Sequence, residues 1–253
     1  MPVETLKERT AAVTAASLIR LGTRGSPLAL AQAYEVRDRL ARAWPALAAE
    51  DAVEIVVIKT TGDKIQDRTL SEIGGKGLFT KEIEEALFDG RIDAAVHSMK
   101  DVPTWLPPAG TISTVLPRED PRDAWIARDG QSLAQLPPGA VVGTASLRRQ
   151  AQVKLLRDDI EVVPLRGNVQ TRLRKLEAGE VDATLLAMAG LKRLGAMEVM
   201  TAPMTTEDML PAVAQGAIGL EIRAADGDTR RWLDALNDPL SADRVTAERA
   251  CLA

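Results

Sequence analysis

Short apolar runs alternate with longer amphipathic ones from residue 18 almost to the end of the chain, and few architectures accommodate that order. Strand patterns fall at 18–22, 53–58, 92–97, 111–116, 124–127, 141–143, 160–164, 183–187 and 217–222. Helix patterns fall at 27–43, 80–88, 146–156, 168–177 and 229–236. Strands separated by helices predict an α/β fold with parallel sheets covered on both faces. Two stretches break the rhythm. One is the polar, proline-flanked segment from Leu116 to Asp123, and the other is the irregular run 204–214. Two crossings between the same halves predict a two-domain hinge protein with a ligand cleft between the halves.

Composition narrows the function. A chain of 253 residues that is 45% hydrophobic can build its own core without staples. One Cys excludes an internal disulfide framework and fits a reducing compartment. One Cys and one His also exclude a zinc site of several thiolates and imidazoles, leaving a carboxylate site for a hard cation open. A net charge of −4 and 3% aromatics argue against a nucleic-acid binder. No apolar stretch approaches the ~20 residues of a membrane span. Residues 1–17 include Glu4, Lys7, Glu8 and Arg9 and no sustained apolar core, so they read as an extension and not as a signal peptide. A cytoplasmic protein without membrane or nucleic-acid partners is expected.

One local device occurs three times: a strand ends, a short loop carries small residues and Arg, and a helix starts. The loops are Gly22-Thr23-Arg24-Gly25-Ser26-Pro27, Gly143-Thr144-Ala145-Ser146-Leu147-Arg148-Arg149 and Leu165-Arg166-Gly167-Asn168. Ser26, Ser146 and Asn168 suit helix caps, and Pro27 suits a first helical position. Helix N-termini attract anions, and Arg grips carboxylates through two bonds. Residues 144–175 hold eight basic side chains against three acidic ones, a basic focus on an acidic protein. Capping alone explains any one loop; three together favour a site for a small anionic ligand. No phosphate-loop motif is present. The glycine-rich run Gly74-Gly75-Lys76-Gly77 predicts a mobile lid.

The strand pattern 92–97 runs into Ser98-Met99-Lys100-Asp101. In parallel sheets the carboxyl ends of strands face the ligand. Asp101 is therefore expected in the cleft, beside Lys100 and opposite the arginines, where it can stabilise a cation or move protons. His97, closing an apolar strand, is expected to be a satisfied structural residue.

These segments together resemble the porphobilinogen deaminase (hydroxymethylbilane synthase) family. The resemblance rests on LGTRGSPLAL at 21–30, IGGKGLFTKEIE at 73–84, AVHSMKDVP at 95–103, REDPRDA at 118–124, VGTASLRRQ at 142–150, LRGNVQTRL at 165–173, AGLKRLG at 189–195 and VTAERA at 245–250. It implies a transferase of tetrapyrrole and heme biosynthesis, joining four porphobilinogen molecules into hydroxymethylbilane with release of ammonia on a covalent dipyrromethane cofactor. It makes Asp101 the catalytic acid. It gives the cofactor and growing chain to Ser98, Lys100, Thr144, Ser146, Arg148, Arg149, Arg166, Arg172 and Phe79, and the incoming substrate to Arg24, Ser26, Gln32 and Arg193; no metal is implied. Two periplasmic-binding-protein-like domains are implied, residues 18–116 with 217–237 and residues 117–216, in a monomer. Residues 238–253 would supply only the first helix of a small third α+β domain.

The sequence departs from the family at two places. The family attaches its cofactor to a Gly-Gly-Cys segment shortly after the AERA helix, and this sequence reaches Ala253 without one. A truncated form lacking the attachment cysteine, its activity in question, is the expectation; Cys251 is read as a partly buried structural thiol. Ala214-Gln215-Gly216 also stands where the family has Gly-Gln-Gly. The alternative reading is a non-catalytic periplasmic-binding-protein-like module for a polycarboxylate. Asp101 discriminates, since an inert anion-binding cleft gains nothing from a central carboxylate.

Overall fold

The computed structural model describes residues 18–64 and 80–253. The extension 1–17, the glycine-rich loop and Phe79 lie outside the described residues. The first part of the chain forms β1 (Ile19–Arg24), α1 (Pro27–Ala43), β2 (Val53–Ile58), α2 (Thr61–Lys64), α3 (Lys81–Phe88), β3 (Ala94–Ser98) and β4 (Gly110–Val115). The second part forms β5 (Asp123–Ala127), β6 (Val141–Gly143), α4 (Leu147–Leu156), β7 (Glu161–Val163), α5 (Val169–Glu177), β8 (Ala183–Ala187), α6 (Met188–Arg193) and β9 (Ala202–Pro203). β10 (Ile218–Arg223), α7 (Gly227–Asp234) and α8 (Pro239–Ala250) follow.

Two five-stranded sheets result, in the orders β2-β1-β3-β10-β4 and β7-β6-β8-β5-β9. The chain leaves the first sheet after β4 and returns to it with β10. The expectation of parallel sheets is corrected in one respect. β10 runs antiparallel to β3 and β4, and β5 runs antiparallel to β8 and β9. Alternation of strand and helix fixes which segments are strands, but a strand that follows a crossing can enter the sheet in either direction. β9, only two residues long, has no periodicity to read.

Local chemistry sets the element ends. Ser26 caps α1 by accepting from the Ala29 amide at 3.3 Å, with Pro27 at the first position. Trp44 ends that helix in an extended conformation, donates to the Trp232 carbonyl and meets the Trp232 ring edge-on. α1 buries Ala33, Val36 and Leu40 against Leu21, Val96 and Leu220 of the first sheet. In the second sheet, Trp125, Val142 and Leu185 form one face of the core with Val153 of α4. On the other face Ile126 and Leu186 pack with Leu176 and Leu191.

α8 fastens the crossing. Glu248 pairs with Arg118 and accepts the Ala214 amide at 2.7 Å, while Arg118 Nε donates to the Gln215 carbonyl at 2.9 Å. Val245 packs with Met99, Val115, Ala214 and Ala217. Gly216 makes the return turn at φ +90°, and a Cβ there would run into the Glu119 backbone carbonyl. Gly216→Ala combines left-handed strain with a backbone collision, so it is expected to destabilise the chain by about 2 kcal/mol or more. Urea denaturation measures this; a loss under about 0.5 kcal/mol would mean that the turn relaxes freely.

Candidate functional site

The carboxyl ends of parallel strands collect the residues of interest. β1 and β3 run parallel and end at Arg24 and Ser98, while β6 and β7 run parallel and lead to Thr144 and Arg166. After β3 a single 3-10 turn, Met99–Asp101, changes the direction of the chain. Met99 is buried and its amide donates to the Ala217 carbonyl, so the turn is anchored from below. Lys100 and Asp101 are consequently thrown outward and exposed. The Asp101 carboxylate accepts no hydrogen bond from a described residue. It is coupled electrostatically to Lys100 beside it and to Arg172 of α5.

Lys100 donates to Gln215 Oε1 at 3.2 Å. Part of its surface is open, yet protein closes in on it from several sides. That enclosure, with Arg149 and Arg172 nearby, lowers its pKa to about 8 against the opposing pull of Asp101 and Asp123. Burial likewise lowers Arg172 to about 10, helped by Arg149 and Arg166 and opposed by Asp101. Lys100, Arg149, Arg166 and Arg172 therefore share one crowded electrostatic neighbourhood in which extra negative charge would be welcome.

The expected cations are not equally available. Arg148 and Arg149 converge on Asp123, which is 0% exposed at the start of β5. Arg149 Nη2 and Arg148 Nη2 donate to that carboxylate at 2.6 and 2.7 Å. Arg149 Nη1 is used by the Leu185 carbonyl and Arg148 Nη1 by the Leu210 carbonyl. Arg149 is thus enclosed with a partner on each of its three nitrogens, and on Arg148 the nitrogen without a partner is Nε, which is buried. Arg166 makes no hydrogen bond or ion pair with a described residue, and its Nη1 is buried and unpartnered. Arg172 uses Nε on the Gly167 carbonyl at 2.8 Å.

Other expected residues have partners within the protein. Gln32 is buried and exchanges hydrogen bonds with Ser98 Oγ, 2.9 Å from its Nε2. Ser26 and Ser146 cap α1 and α4, and Thr144 Oγ1 accepts the Ser146 amide. Arg193 is drawn between α6 and α1, with Nε on Glu35 at 3.2 Å and Nη2 on the Gly216 carbonyl at 3.0 Å. Arg24 is half-buried and has a partner of its own. His97 is buried with Nε2 2.9 Å from Glu221 Oε2, the satisfied structural histidine expected. Asp123 and Gln215, which read from the sequence as a boundary residue and part of a return turn, are the partners that organise Arg148 and Arg149. The available signal was an acid opening the wholly apolar run Ala124–Ala127, which a solvated linker does not require.

The sequence from residue 19 to residue 231 matches the family model described as porphobilinogen deaminase, dipyrromethane cofactor-binding domain. The chain belongs to the porphobilinogen deaminase family. It is 59% identical to the chloroplastic porphobilinogen deaminase of Oryza sativa subsp. japonica, covering 93% of this chain and 66% of that protein. The porphobilinogen deaminases of Paracoccus denitrificans and Nitrobacter winogradskyi are 60% and 58% identical, each over 93% of this chain and 74% of theirs. The chain thus spans about two thirds to three quarters of the length of these relatives. The fold is similar to that of the methionine-binding protein MetQ (TM-score 0.53, 13% identity, 91% of this chain and 96% of that one). It is also similar to a TRAP periplasmic solute-binding protein from Desulfovibrio salexigens (TM-score 0.51, 11% identity, 94% and 76%). The porphobilinogen deaminase fold here is therefore of the periplasmic-binding-protein type. Among the described residues no helix is long and apolar enough to cross a membrane, and no group of three or more His, Cys, Asp or Glu could hold a metal ion. A dipyrromethane carries several carboxylates. The orphaned nitrogens of Arg148 and Arg166, within a crowd of cations facing one carboxylate, fit such a group.

Proposed function

We propose that the chain works as a hydroxymethylbilane synthase, polymerising four porphobilinogen molecules with loss of ammonia. The observation that carries this reading is Asp101: an exposed carboxylate just past a strand end, without a hydrogen bond from a described residue and coupled electrostatically to Lys100 and Arg172. A bound dipyrromethane would supply the free pyrrole carbon on which the chain grows. Lys100, Arg166 and Arg172 would hold the acetate and propionate groups of cofactor and chain, with Arg148 contributing through Nε. Asp101 would accept a substrate pyrrole N–H and stabilise the cation left as the aminomethyl C–N bond breaks and ammonia departs. Carbon–carbon bond formation to that free pyrrole carbon would then be balanced by loss of the carbon's proton. Each pyrrole unit brings two carboxylates, which explains why so many cations surround one acid. Ser26, Gln32, Arg24 and Arg193 would contact the incoming substrate, for which Gln32 would leave Ser98 and Arg193 would leave Glu35.

Two points of organisation belong to the same proposal. Residues 18–116 with 217–237 form one domain and 117–216 the other, supported by the two crossings between sheets. A reducing, cytoplasmic setting is supported by the single thiol of the sequence, Cys251, which is exposed and not partly buried as expected, because it caps the end of α8. The test is to express the full product of the gene, supply porphobilinogen, and follow ammonia and hydroxymethylbilane together. One ammonia per porphobilinogen consumed is expected; binding without ammonia release would favour an inert polycarboxylate-binding module.

A further inference from the structure

Gln215 is 1% exposed and sits between two left-handed residues, Ala214 at φ 57° and Gly216 at φ 90°. An alanine held in that conformation is strained, and such strain persists only where the surroundings dictate it. Here it aims one buried amide at both the turn after β3 and the start of β5. Gln215 Oε1 accepts from Lys100 Nζ at 3.2 Å, on the turn after β3. Gln215 Nε2 donates to Asp123 Oδ1 at 3.0 Å and to the Pro121 carbonyl at 2.7 Å. Asp123 in turn holds Arg148 and Arg149. The amide orientation is settled by its partners, because only the oxygen can accept from an ammonium group.

We propose that Gln215 is a positioning residue that ties the Lys100–Asp101 turn to the Asp123–Arg148–Arg149 group, setting the acid and the cations of the cleft relative to each other. The significance for turnover rests on the deaminase reading; the linkage itself does not. Lys100 is the reporter. It is faced by Asp101 on its own turn, Asp123 on β5, Arg149 on α4, Arg172 on α5 and Gln215 from the return turn. An acceptor for the ammonium favours its charged form, so removing it lowers the Lys100 pKa and replacing it with a carboxylate raises it.

The experiment measures Lys100 acetylation by acetic anhydride against pH, read by mass spectrometry, in the wild type, Gln215→Leu and Gln215→Glu. The midpoint is expected near 8 in the wild type. It is expected to fall by roughly one unit in Gln215→Leu and to rise by roughly one unit in Gln215→Glu. Opposite shifts from one position separate positioning from general damage. In the cofactor-bearing protein both variants are expected to lose about tenfold to a hundredfold in kcat/KM for porphobilinogen. Unchanged Lys100 midpoints, with or without a lower melting temperature, would overturn the proposal. If Gln215→Leu does not fold, Gln215→Asn reads the same loss, because its amide stops one carbon short of Lys100. A wild type that titrates Lys100 as expected but never consumes porphobilinogen would refute the deaminase reading and leave the linkage standing.

Discussion

Asp101→Ala in the cofactor-bearing protein is expected to lower porphobilinogen turnover about a thousandfold while leaving stability within about 0.5 kcal/mol of the wild type. The two halves of this expectation have separate causes. Asp101 is exposed and takes no hydrogen bond from a described residue, so its removal opens no cavity and orphans no donor. It is, however, coupled electrostatically to Lys100 and Arg172, and under the proposed reaction a positive charge developing on a pyrrole beside those cations would need a counter-charge. Asp101→Asn keeps the shape and removes the charge, so it is expected to be as slow as alanine. Asp101→Glu keeps the charge but displaces it by a carbon, and is expected to lose about a hundredfold or less. Steady-state ammonia release and thermal melting check both halves. An Asp101→Asn protein retaining a tenth of wild-type turnover would remove Asp101 from the chemistry.

What the sequence conveys about this fold is mostly local, and its silences concern distance. The start of α1 is legible because Ser26 caps an amide only three residues on, at Ala29, with Pro27 between them. The same holds for the caps at Ser146 and Asn168. The direction of β10 is not legible, since strand propensity carries no sign. Arg149 reads from its motif as a carboxylate grip, yet its partner Asp123 stands 26 residues earlier, in what reads as a polar linker. Arg193 is taken by Glu35, 158 residues away. A sequence motif shows that a cation is present. Whether that cation is free for a ligand depends on which acid the fold brings to it.

That distinction makes Asp123 the position where a substitution is expected to harm stability most. Its carboxylate lies wholly out of solvent and accepts from Arg148, Arg149 and Gln215 at once. Asp123→Ala leaves the enclosed Arg149 guanidinium without a counter-charge, a loss of about 3–5 kcal/mol. For a chain of this size that lowers the melting temperature by about 10 °C. Asp123→Leu combined with Arg149→Leu removes both charges and is expected to recover part of the loss, because the penalty comes chiefly from the orphaned charge. The recovery stays partial, since Arg148 and Gln215 still lose their acceptor. Acid supplies an independent check. Burial pushes the Asp123 carboxyl up, but Arg149, Arg148 and Gln215 outweigh it and hold its pKa below the ordinary value. A depressed folded-state pKa contributes stability above the unfolded value of about 3.9, and the contribution fades as pH falls through the folded one. The stability gap between wild type and Asp123→Asn is therefore expected to be constant from pH 5 to 7 and to narrow below about pH 4. Guanidinium denaturation across that range measures it. A gap that persists unchanged to pH 2, or an Asp123→Ala protein melting within 2 °C of wild type, would show that the two arginines draw their counter-charge from elsewhere.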